Sequence, residues 1–155
     1  MKIYYREKSG GIEILRCFGI EGRVEIPGMI DGKLVISAAP YAFSSHMDEK
    51  EDLKNASLWE VSDGLEFGRE EHVLAGNDVE EIVFPYTLKE IGRYIFYGCG
   101  NLKKLEFSDS LMQIGCGAFT GCHALEKLTV HMRQGKKSGV KEMLGEMWQR
   151  IDEKF

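Results

Sequence analysis

From Ala56 to Val130, apolar residues recur every 23 positions. Trp59, Ile82, Leu105 and Leu128 form one column, and Val61, Phe84, Phe107 and Val130 a second. Ala56, Val79, Leu102 and Leu125 form a third, Leu65, Leu88 and Leu111 a fourth, and Val73, Phe96 and Phe119 a fifth. Shorter columns pair Ile91 with Ile114, Gly92 with Gly115, and Cys99 with Cys122. A unit this short cannot bury its own apolar side, so copies must stack, which leaves a solenoid as the fold. Equivalent residues then lie one strand spacing, ~4.8 Å, apart.

Before this frame, residues 2–7 and 12–18 read as two strands joined by the turn Lys8-Ser9-Gly10-Gly11, with a third short strand at 23–26. Residues 1–25 are expected to cap the first repeat, covering its apolar end and its unpaired strand edge. Ile26-Pro27 matches Phe84-Pro85, and Tyr41-Ala42-Phe43 matches Tyr94-Ile95-Phe96. The first repeat therefore starts near residue 26 and carries a local excursion, whose Asp31-Gly32 marks a turn. A charged loop insertion is expected at 44–55, with residues 47–52 as a one-turn helix or a solvated loop. The repeat from Trp59 to Gly76 is degenerate, with Gly68-Arg69 where later repeats have Ile-Gly.

After Val130 the period stops and residues 131–139 read as a polar linker. Val140, Met143, Leu144, Met147, Trp148 and Ile151 fall at helical spacing, with Ser138 as N-cap. This predicts an amphipathic C-terminal helix that covers the last repeat. A partner-binding helix, or one joining two copies in a homo-oligomer, is the alternative use of the same stripe.

The segments from Ile91 to Leu105 and from Ile114 to Leu128 share an Ile-Gly pair, a small residue or Ile followed by Phe, a Gly-Cys pair, and Leu-x-x-Leu. This pattern resembles the bacterial BspA-like leucine-rich repeat family, with weaker matches over 26–130. The resemblance implies a curved stack of short parallel strands, mostly β or α/β. It offers no catalytic residues to carry over, and because the apolar columns absorb most distinctive residues and leave a broad repeated surface, a non-enzymatic protein-binding module is expected. Family members with export signals resemble surface proteins, so the alternative is a structural or adhesive domain of a larger cell-surface protein.

Composition narrows the function classes. The 155 residues carry a net charge of −5, and the richest basic run, Arg133 to Lys141, holds four Lys/Arg. Neither suits a nucleic-acid partner. Residues 1–20 lack the apolar segment of a signal peptide, and no window is long enough to span a membrane. If Met1 is the native start, a cytoplasmic location is expected; if the chain is a fragment, a cell-surface one. Cys116, Cys122 and His123 do not have the spacing of a metal site, so no metal or other cofactor is expected. Cys99 and Cys122 read as small apolar residues in a buried column, although their stacking would also permit a disulfide. The expected binding surface for an unidentified protein partner lies on outward strand positions and turn aromatics. It comprises Glu60, Glu81, Val83, Lys104, Glu106, Lys127 and Thr129, with Tyr86, Tyr94 and Tyr97.

Overall fold

A computed structural model describes residues 1–46, 53–61 and 70–154. The chain winds into a β-solenoid with two sheets. Sheet B contains β3 (Arg23–Glu25), β8 (Glu81–Val83), β10 (Lys104–Ser108), β12 (Lys127–His131) and β13 (Ile151–Lys154), neighbours in that order and all parallel. Sheet A stacks β2 (Gly11–Gly19), β5 (Lys33–Ala38), β9 (Glu90–Ile91) and β11 (Gln113–Ile114) in parallel, and β1 (Lys2–Lys8) closes it antiparallel on β2. The turn between β1 and β2 places Ser9 and Gly10 at φ 51° and 80°, the left-handed geometry of a tight hairpin.

From Gly76 onward the 23-residue columns hold. Ile82, Leu105 and Leu128 lie one above another, and Ile91 pairs with Ile114. Phe96 and Phe119 stack with ring centroids 5.8 Å apart. Two cysteines form a hydrogen-bonded ladder: Cys99 Sγ donates to the Phe43 carbonyl at 3.3 Å and Cys122 Sγ to the Phe96 carbonyl at 3.4 Å. Both are free thiols, and burial pushes each up to about 12.

Before Gly76 the columns fail. Trp59 does not lie beneath Ile82; Val24 of β3 does. Trp59 belongs to β6 (Ser57–Glu60), which pairs antiparallel with β1 opposite Ile3. Val61 is half-exposed and its amide donates to the Met1 carbonyl. Val73 lies on β7 (His72–Val73), antiparallel to the end of β2. The place below Phe96 is taken by Phe43, ring centroids 6.2 Å apart. The chain thus leaves the stack after Phe43 and rejoins it at Gly76, whose amide donates to the Phe43 carbonyl. Among the described residues of this stretch, β6 and β7 extend the N-terminal hairpin instead of forming a repeat, so the departure reaches beyond the insertion expected at 44–55. Leu65, Gly68, Arg69 and residues 47–52 lie outside the described residues. The stack also begins earlier than residue 26, because β2 and β3 are already rungs of the two sheets.

The close stacking explains the Ile-Gly pairs. The Gly92 amide donates to the Ala38 carbonyl at 2.8 Å and the Gly115 amide to the Ile91 carbonyl at 2.7 Å. A methyl on Gly92 would stand 2.6 Å from Ala39 C and closer still to Pro40 N. On Gly115 it would stand 2.5 Å from Arg93 Cα. Each repeat therefore needs glycine where it crosses the backbone of the repeat below.

The C-terminal segment departs from the expected helix. Only Val140–Leu144 are α-helical (α1), capped by Gly139 without a side-chain bond, so Ser138 is not the N-cap. Gly145, at φ 52° and ψ −123°, ends the helix in a conformation that L side chains rarely adopt. A 3-10 turn over Gly145–Arg150 follows, and then β13 pairs parallel with β12. The capping role is nonetheless met: Val140 and Leu144 are buried in the core, and β13 pairs with β12.

Candidate interaction surface

The outward positions of sheet B are set by its register. Lys104 lies between Glu81 and Lys127, with Arg23 below Glu81. Alongside runs a second column: Glu25, Val83, Glu106 and Thr129. The inward alternates, Val24, Ile82, Leu105 and Leu128, are buried in the core, which forces these residues outward. One column is mainly basic, and the two charged members of the other, Glu25 and Glu106, are acidic. Arg23 joins them, lying 3.6 Å from Glu25 and 3.5 Å from Glu81. A depression of about 150 Å³ lies among Glu81, Lys104, Glu106, Lys127 and Thr129. Thr129 is buried, whereas Lys104 and Lys127 are exposed.

The sheet continues into a polar corner. His131 Nε2 bonds Glu106, and the His131 ring lies 5.1 Å from Tyr86. Arg133 places its guanidinium 4.6 Å from the centroid of the Tyr86 ring. The Arg133 and Gln134 amides donate to the buried Asp109 carboxylate at 2.8 and 2.7 Å, fixing that turn over the repeat below. A basic residue read from sequence as linker therefore sits on an aromatic of the surface.

The expected surface residues do not all meet. Glu81, Val83, Lys104, Glu106, Lys127 and Thr129 share sheet B, with Tyr86 at its rim. Glu60 does not: it pairs with Lys2 on sheet A, because its strand left the stack. Tyr94 and Tyr97 lie on the turn side, where Tyr94 stacks on Tyr41 at 5.6 Å and packs edge-on against Tyr97 at 5.9 Å. Tyr41, Tyr94 and Gly117 occupy one left-handed column at φ 60°, 50° and 66°. A methyl on Gly117 would lie 2.6 Å from Tyr94 Cδ1, so the column ends in a glycine that admits the ring.

Arg23 and Glu25, which sequence reading placed in the cap, belong to the surface. The matches of Ile26-Pro27 to Phe84-Pro85 and of Phe43 to Phe96 already carried that signal. Cys116 is exposed, while Cys122 is buried against Phe96; no group of three or more His, Cys, Asp or Glu able to hold a metal occurs among the described residues. Among those residues, no helix is long and apolar enough to cross a membrane.

Parallel rungs of 23 residues, glycine crossings and an outward-facing parallel sheet define a leucine-rich-repeat type of solenoid. Residues 70–139 match the model of the BspA type leucine rich repeat region, in 6 copies. The fold is similar to the crystal structure of a T. pallidum leucine rich repeat protein, with a TM-score of 0.58 and 22% identity. That match covers 83% of this chain and 50% of the other, so this chain spans about half the length of that relative. No curated protein sequence matches the chain.

Proposed function

We propose that the protein is a non-enzymatic protein-interaction module that binds its partner through the outward face of sheet B. The observation that carries this reading is the parallel register, which lines up a mainly basic column beside one whose charged members are acidic, on one outward face. Charge stripes of this kind set orientation and partner choice more than raw affinity. The repeat family supports the coarse role, and the columns supply the specific surface. The test is capture from a lysate of the source organism on the immobilised full chain. Wild type is compared with the Lys104→Glu/Lys127→Glu variant, and circular dichroism confirms that both are folded. A protein recovered by wild type and lost on charge reversal supports the reading; identical recoveries refute it.

A further inference from the structure

Two corners of consecutive rungs enclose a groove of about 480 Å³, lined on one side by Glu25 to Gly28 and on the other by Val83 to Tyr86, with Arg23 and Glu106. Its size is within the ~300–1,000 Å³ typical of ligand clefts. The groove has a cause in the sequence. Ile26-Pro27-Gly28 occupies the place in its rung that Phe84-Pro85-Tyr86 occupies in the next, so Gly28 stands where a tyrosine side chain would fill the space. The chain then departs at Met29 into a hairpin with β5, turning at Asp31 and Gly32. Met29 and Leu34, paired across that hairpin, are 55% and 48% exposed.

The lining mixes apolar walls with charged side chains. Pro27, Pro85 and Tyr86 form the walls, and Tyr86 remains 48% exposed although Arg133 lies over its ring. Neither Arg133 nor His131 lines the groove. Of the three charged lining residues, Arg23 is engaged by Glu25 and Glu81, and Glu106 is bonded to His131. The Glu25 side chain is 67% exposed. Two carboxylates against one guanidinium, in a chain of net charge −5, favour an incoming cation over an anion. The Tyr86 ring already accepts a guanidinium, the group that best stacks on an aromatic and forks onto carboxylates.

We propose that this groove takes an extended segment of a protein partner bearing an arginine flanked by an apolar residue. The guanidinium lies between Glu25 and Glu106, and the apolar side chain lies on Pro27, Pro85 and Tyr86. This rests on the interaction-module reading and names the chemistry of the partner at the rim of the same face.

The test is a titration of the isotope-labelled full chain with a terminally blocked Leu-Arg-Leu tripeptide, followed by amide chemical shifts. Its counterpart carries citrulline, which keeps the shape and removes the charge. The expected result is amide shifts confined to the groove lining, at Arg23, Glu25, Ile26, Gly28, Val83, Phe84, Tyr86 and Glu106, with citrulline binding about tenfold more weakly. Glu25→Gln and Tyr86→Ala each weaken the arginine peptide by a similar factor, whereas Met112→Ala, at an exposed site outside the groove lining, leaves it unchanged. Equal binding of both peptides, or no shifts up to their solubility limit, overturns the proposal. Either of those outcomes leaves the module reading standing if charge reversal at Lys104 and Lys127 still abolishes partner capture.

Discussion

Adding one methyl group at Gly92 should loosen the stack more than deleting most surface side chains. A Cβ there meets backbone, Ala39 C at 2.6 Å and Pro40 N closer still, so no flexible side chain can yield. Ordinary contact begins near 3.4 Å, so the rungs must part locally by roughly 0.8 Å or more. The Gly92–Ala38 hydrogen bond of 2.8 Å then stretches to roughly 3.6 Å, beyond bonding range. Losing that bond costs about 1 kcal/mol, and residual overpacking strain adds about 1–3 kcal/mol. Gly92→Ala should therefore destabilise by roughly 2–4 kcal/mol, a fall in Tm of order 5–15 °C for a chain of this size. Gly139→Ala is the control, since nothing lies within 4 Å of its Cβ and its φ is ordinary; as a change at a helix N-cap it should cost about 1 kcal/mol or less. Paired urea and thermal melts measure both. A Gly92→Ala variant as stable as the Gly139→Ala control would refute the claim that glycine is there for backbone crossing.

Three further outcomes follow from the core and its charges. Phe96→Ala removes the middle ring of the Phe43–Phe96–Phe119 spine and should cost about 3–5 kcal/mol in denaturant melts. In native protein a thiol reagent should modify Cys116 alone, because Cys17, Cys99 and Cys122 are buried and each is pushed up to about 12; all four should react in denaturant. Lys8 bridges the buried Glu13, at 2.9 Å, and Glu90, and its bond to Glu90 lowers the Glu90 pKa while raising its own. A lowered carboxylate stabilises above its unfolded value and loses that contribution as pH falls through the folded one; a raised lysine stabilises below its unfolded value and loses that as pH rises. The stability gap between wild type and Lys8→Met should thus be widest between about pH 4.5 and 10.5 and close at both ends. Solvent screening keeps the Lys8–Glu90 part of it to about 1 kcal/mol or less. Melts across pH would show a constant gap if the bridge is irrelevant.

The sequence was most legible where one copy sits directly on the next. Ile82, Leu105 and Leu128 announce their stacking because each fills the same inward position and nothing intervenes between rungs. Trp59 misled because the spacing from Trp59 to Ile82 equals one period by coincidence, while its own strand, and His72–Val73 after it, pair with the hairpin edge. The motif matches at Ile26-Pro27 and Tyr41-Ala42-Phe43 were better guides, since they report the corner geometry of a rung and not a bare count. The C-terminal stripe misled for a local reason: Gly145 interrupts it, and β12 offers a free edge that the chain's last strand can pair. Of the surface, the six sheet B positions from Glu81 to Thr129 were readable by alternation. The Tyr86 corner was not, because Arg133 and His131 reach it from two rungs away, and the groove depends on what Gly28 lacks.

The stacking order can be read directly from nuclear Overhauser effects between strands in isotope-labelled protein. The register described here predicts contacts from Val24 to Ile82 and from Ile3 to Trp59, with none between Trp59 and Ile82. Contacts linking Trp59 to Ile82, with Val24 silent toward that strand, would contradict it.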